Sequence, residues 1–171
     1  MKARQLAKYS CLLALALMAG GISWAAVTSQ PVKTGVSPDM VIDLPLKLDS
    51  PASVVAGVNG ELVFDTALFS NPQIMQGPGA PSFIVMGNEY TPGHYKFVAY
   101  ADPTRTMALG SPVLYIRLQA AHQFEHSTIS TLTYPMAAAS DNTGASLTPC
   151  TFADIQISVN STGAQHWALY E

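Results

Sequence analysis

A chain of 171 residues is long enough for one ordinary domain with a short appendage. Its 49% apolar share allows a real core, but charged residues make up only 11% and there are 12 Gly and 12 Pro, which argues against helical bundles and coiled coils. The net charge of -3 leaves no basic surface for nucleic acid, and 2 Cys exclude a disulfide-dense scaffold.

Lys2, Arg4 and Lys8 precede the apolar run Leu12 to Ala19. Gly20 and Gly21 loosen a helix there, and Ser23-Trp24-Ala25 places small residues three and one positions before a cut. Residues 1–25 therefore read as a secretory signal peptide cleaved after Ala25, with an uncleaved anchor as the rival reading. Cys11 lies ahead of the apolar run and lacks the sequence that precedes a lipidated Cys. Cleavage leaves five Lys and Arg against 11 Asp and Glu, a net charge of -6. The expected destination is the periplasm or the exterior, with no membrane attachment after cleavage. Cys150 then remains as an unpaired thiol, which reads as a small hydrophobe near a strand start.

Residues 26–39 are polar with two prolines and read as a leader or linker, and 40–160 as the domain. From Val41 the pattern alternates: Ile42, Leu44, Leu46 and Leu48 on one face, Asp43, Pro45, Lys47 and Asp49 on the other. This is a half-buried strand, at an edge or bulged because Pro45 lacks an N–H. Ser50-Pro51 makes a turn. Val54 to Asp65 is the next strand, with Val58, Gly60, Leu62 and Phe64 inward and Asn59, Glu61 and Val63 outward. Thr66 to Phe69 suits a short helical turn ended by Asn71-Pro72, and Gly77 to Pro81 is a loop. Ser82 to Met86 is a short strand, punctuated by Gly87-Asn88 and Pro92-Gly93. Tyr95 to Ala101 is apolar on both faces, so its facing is open. Val113 to Ala120 alternates, with Leu114, Ile116 and Leu118 inward and Val113, Tyr115, Arg117 and Gln119 outward. Ser127 to Tyr134 is a Thr-rich strand. Asp141-Asn142-Thr143-Gly144 is a turn, Thr151 to Asn160 the final strand, and residues 161–171 a C-terminal tail. Such spacing means an all-β sandwich or barrel.

Catalytic patterns are weak. His122 and His126 would pair on a metal only in a helix, and they fall in a loop between strands. Ser127, Ser130 and Ser140 have no nucleophile-elbow context. Asp102 and Asp141 sit in turn signals, and an Asx turn explains Asp141 as well as a Ca²⁺ set with Asn142 and Asp154 would. The reading is therefore of a non-enzyme without cofactor or metal. Tyr90, Tyr95, Tyr100 and Tyr115 are candidates for a row of rings that stacks on sugars, although sandwiches also bury aromatics.

The run Val55-Ala56-Gly57-Val58-Asn59-Gly60-Glu61-Leu62-Val63-Phe64-Asp65 followed by Leu68, the stretch Gly110 to Leu118, and the segment Ala137 to Leu147 through its Asp-containing turn together resemble cohesin domains. The resemblance spans Val41 to Asn160. It implies a jelly-roll sandwich of about nine strands, a fold shared with family 2 and family 3 carbohydrate-binding modules. Cohesins are non-catalytic and hold dockerins, small paired-helix Ca²⁺-binding modules, in secreted polysaccharide-degrading complexes. The resemblance therefore implies an exported module that holds a dockerin-like protein on one sheet face. That sheet includes the strand of Asn59, Glu61 and Val63, and the strand of Tyr115 and Arg117 is expected beside it. These five residues are the candidate partner-binding patch. A polysaccharide partner is the alternative, and a surface-assembly subunit the second. Three or more aromatics aligned on one exposed sheet would favour the polysaccharide.

If residues 1–25 are a cleaved signal, N-terminal sequencing of the native protein should begin at Ala26 or within a few residues of it. A start at Met-Lys-Ala would instead show a retained anchor.

Overall fold

A computed structural model describes residues 26–50, 54–101 and 105–161. Residues 1–25, where a signal peptide is expected, and Pro51, Asp102 and the residues after Ser161 lie outside the described residues. No helix among the described residues is long and apolar enough to cross a membrane.

The described chain is all β, in two packed sheets. The strands are β1 (Val27–Ser29), β2 (Val32–Val36), β3 (Val41–Asp49), β4 (Gly57–Val63), β5 (Phe69–Gln76), β6 (Ile84–Thr91), β7 (His94–Tyr100), β8 (Pro112–Ala120), β9 (Thr128–Ser140), β10 (Ser146–Leu147), β11 (Cys150–Thr151) and β12 (Ile155–Val159). One sheet has the order β11-β1-β3-β8-β5. The other has the order β2-β12-β9-β4-β7-β6, with β10 also paired to β9.

Alternation decides what each strand buries, because successive side chains point to opposite faces. Ile42, Leu44, Leu46 and Leu48 of β3 go inward, as do Leu114, Ile116 and Leu118 of β8. From the other sheet come Val58 and Leu62 of β4, Tyr95, Phe97 and Ala99 of β7, and Ile155 and Ile157 of β12. Those facings agree with the sequence pattern and settle β7, which the sequence left open. Gly60 also faces inward. A Cβ there would stand 2.7 Å from Phe97 Cζ and 2.9 Å from Phe152 Cε2, so glycine lets those rings close over β4. Phe97, Phe152 and Tyr134 form one aromatic cluster, with centroids 5.5 to 6.2 Å apart. Burial pushes the Tyr134 phenol well above its ordinary pKa.

Several expectations need correction. Residues 26–39 are not a linker: β1 pairs with β3 and β11, and β2 runs parallel to β12. Val27 and Val36 are buried, and the Ser29 hydroxyl accepts a 2.7 Å hydrogen bond from the Ala153 N–H. Apolar residues at each end of this polar stretch suffice to anchor it. Pro45 lies where β1, which pairs only with Leu48 and Asp49, does not reach, and the bulge falls one residue later, between Leu46 and Lys47. Asn71-Pro72 does not end an element. It forms a bulge inside edge strand β5, with Asn71 at φ 52°. Thr66 to Phe69 is a single turn, in which the Asp65 carboxylate accepts the Ala67 N–H at 2.8 Å. Gly87-Asn88 does not interrupt β6, which continues to the Pro92-Gly93 turn with Gly93 at φ 79°. Val113 is buried rather than outward, because the Gly77–Gly79 loop folds onto it and hydrogen-bonds the Pro112 and Val113 carbonyls. The expected last strand is two: β11 joins one sheet and β12 the other, with Phe152 buried between them. Asp141 closes an Asx turn, its Oδ1 accepting from Thr143 N, Thr143 Oγ1 and Ala145 N at 2.7 to 2.9 Å.

Cys150 packs half-buried against the core, and burial pushes its thiol up to about 11. Thiol-reactive reagents should modify it slowly at neutral pH and fast after denaturation, because the thiolate is the nucleophile. Leu62→Ala should cost roughly 2–5 kcal/mol in denaturant unfolding, as expected for a fully buried leucine.

Candidate partner-binding face

The five sequence-selected residues do not form one patch. Asn59, Glu61 and Val63 point outward from β4, in the sheet β2-β12-β9-β4-β7-β6, whereas Tyr115 and Arg117 point outward from β8 in the opposite sheet. Alternation gave these five residues their facing correctly, but it carries no information about which sheet a strand joins. β4 pairs with β7 and β9, and β8 with β3 and β5.

The outer face around β8 is closed by cross-strand polar pairs. Arg117 grips Asp43 with Nε–Oδ1 at 2.7 Å and Nη2–Oδ2 at 2.8 Å, and this bond holds the Asp43 carboxyl below the usual carboxylate range. Asn71 donates to Gln119 at 3.0 Å, and Gln30 to Asp49 at 3.3 Å.

The outer face around β4 is different. The strand registers set its residues in rows across β9, β4, β7 and β6. One row is Ser140, Gly57, Tyr100 and Ile84; the next is Ala138, Asn59, Val98 and Met86; the third is Met136, Glu61, Lys96 and Asn88. Of eight exposed large hydrophobics, Ile84, Met86, Tyr90, Tyr100, Met136 and, further along β9, Ile129 belong to this one face. Small residues hollow it: Gly57, Ala138 and Ser140, with Asn59, Val98 and Tyr100, line a depression of about 230 Å³.

A polar cluster borders the apolar rows. Glu61 Oε1 accepts the Tyr90 hydroxyl at 2.5 Å and lies 2.9 Å from His94 Nδ1. Lys96 Nζ stands 4.3 Å above the Tyr90 ring centroid, a cation–π contact. The Tyr90 bond first, and the His94 bond second, hold the Glu61 carboxyl below its ordinary pKa. The same bond raises the Tyr90 phenol. The sequence pointed to Glu61 and to Tyr90, but not to their contact or to Ile84, Met86, Val98 and Met136. The signal was there in part: Ile84, Met86, Asn88 and Tyr90 alternate in β6. Of the tyrosines considered for sugar stacking, Tyr95 is buried, with its hydroxyl bonded to the Ile74 backbone, and Tyr115 is on the other sheet. Tyr90 and Tyr100 stand at opposite ends of the β6–β7 hairpin, so no row of three forms among the described residues.

Solved structures of similar shape carry the comparison. A type I cohesin in complex with a dockerin from Clostridium thermocellum matches with a TM-score of 0.65 at 17% identity, covering 78% of this chain and 99% of that one. The chain has the cohesin fold. A non-cellulosomal cohesin from the archaeon Archaeoglobus fulgidus matches at 0.64 and 13%, covering 86% and 99%. CaCohA2 from Clostridium acetobutylicum matches at 0.62 and 18%, covering 80% and 92%. No family model and no curated protein matches the chain.

The Glu61 cluster has a testable pH signature. A carboxyl whose folded pKa is depressed adds stability above its unfolded pKa and loses it as pH falls through the folded value. The stability advantage of the native protein over Glu61→Gln should therefore be constant near neutrality and disappear on acidification below the ordinary Glu range, as followed by thermal unfolding across pH.

Proposed function

We propose that this chain is a non-catalytic, exported protein-binding module that holds a dockerin-like partner on the outer face of β9, β4, β7 and β6, in extracellular polysaccharide degradation. The observation that carries this reading is the gathering of Ile84, Met86, Tyr100 and Met136 on one sheet face beside the Glu61–Tyr90–His94 cluster. Interfaces need an apolar centre with aromatic and Met anchors, ringed by oriented polar groups. Val98 and Met86 supply the centre, and Asn59, Glu61 and Lys96 the hydrogen bonds and charge. The solved complexes of the same fold with dockerins support a protein partner over a polysaccharide one. Export rests on residues 1–25. Arg117, paired with Asp43 in the opposite sheet, and Tyr115 on the same strand are left outside the proposed site.

The test is calorimetric titration of a panel of dockerin modules against the native protein and two variants. Val98→Asp should weaken binding by about 2 kcal/mol or more, as for a central anchor. Arg117→Ala should leave binding unchanged. Weakening by Arg117→Ala but not by Val98→Asp would move the site to the other sheet, and retention on insoluble polysaccharide with no dockerin bound would favour the carbohydrate reading.

A further inference from the structure

Five strands have a neighbour on one side only among the described residues: β11 and β5 in one sheet, β2, β6 and β10 in the other. An edge strand offers a row of unpaired N–H and C=O groups to any other chain, and proteins blunt such edges with short strands, Lys, Pro or bulges. Four of the five are blunted, β10 by its length of two residues. β11 has two residues. β5 is broken by its Asn71-Pro72 bulge. β2 has five residues, with Lys33 exposed.

β6 is not blunted. It has eight residues without Pro, Lys or Arg, and its pairing with β7 is regular from Ile84 to Glu89. Its single charge, Glu89, is turned to the hairpin, where it accepts the Gly93 N–H at 2.8 Å. Ile84, Met86 and Tyr90 project from it, each about half exposed, at 47 to 52%. We propose that β6 is a self-association edge, at which two copies of this chain pair antiparallel into one continuous sheet.

Charge and register favour a second copy. The chain without residues 1–25 is acidic, so copies repel in general, but Ile84 to Asn88 is uncharged and lets them approach. Antiparallel pairing about a two-fold axis at Gly87 sets Met86 opposite the partner's Asn88, and Ile84 opposite the partner's Tyr90, all on the outer face. Glycine at the axis, where the backbones cross, presents no side chain to its counterpart. The outer faces of both copies stay open and lie side by side, so this pairing does not depend on the dockerin reading and does not block it.

Sedimentation equilibrium on the purified native protein tests it, from micromolar to millimolar concentration. The expected result is a monomer–dimer equilibrium. Met86→Lys, which places a charge beside the axis, should raise its dissociation constant at least about tenfold. Met136→Lys, on the same face but three strands away, should leave it unchanged. Hydrogen exchange should slow at β6 amides as concentration rises. A monomer at every concentration overturns the proposal. So does a dimer broken by Met136→Lys and indifferent to Met86→Lys, which would be stacked face to face.

Discussion

Leu62 on β4, Leu44 on β3, Ile116 on β8 and Ile157 on β12 belong to one cluster buried between two sheets. Each strand can give that cluster only one of its two rows, because side chains alternate. The row it keeps back forms the outside of the molecule. What is available for recognition is therefore fixed by the rows left over after the core is filled, and the two sheets use those rows in opposite ways. Across β3 and β8 the leftover residues bind one another, Arg117 with Asp43 above all. Exposed pairs of this kind stabilise little, about 0–1 kcal/mol, but they engage Arg117 and Asp43 with each other. Across β9, β4, β7 and β6 the leftover rows expose Ile84, Met86, Tyr100 and Met136 beside the polar cluster on Glu61.

Glycines shape both sides of β4. Gly60 lets Phe97 and Phe152 close on its inner side. On the outer side, Gly57 leaves a hollow beside Tyr100 and Asn59, where an added Cβ would sit 2.7 Å from Ser140 Oγ. Substitution at the first would open the core, and at the second would fill the depression in the outer face. The strand named by its motif thus serves packing and recognition through alternate residues.

Much of this was legible in the chain. β3, β4 and β8 alternate so regularly that their buried rows could be named residue by residue, and only Val113 departed, because a loop folds over it. The cohesin resemblance rested on the order of turns and strands, and the fold agrees. Sheet membership was not legible. Long-range pairing is set by the global packing of hydrophobic rows, not by local pattern, so β4 and β8 looked equally fit to be neighbours. Short strands were missed for a related reason: β1 and β2 gain their structure from partners far along the chain, β11 and β12. The Glu61 contacts were invisible because Tyr90 and His94 reach it only after β6 and β7 fold back beside β4.

The central claim is that recognition belongs to the outer face of β9, β4, β7 and β6. Hydrogen–deuterium exchange on the complex with a captured dockerin-like partner addresses it directly. Protection should appear on binding in peptides covering 57–63, 84–91, 94–100 and 136–140, with 41–49 and 112–120 unchanged. Protection confined to the strands of Asp43 and Arg117 would contradict the account.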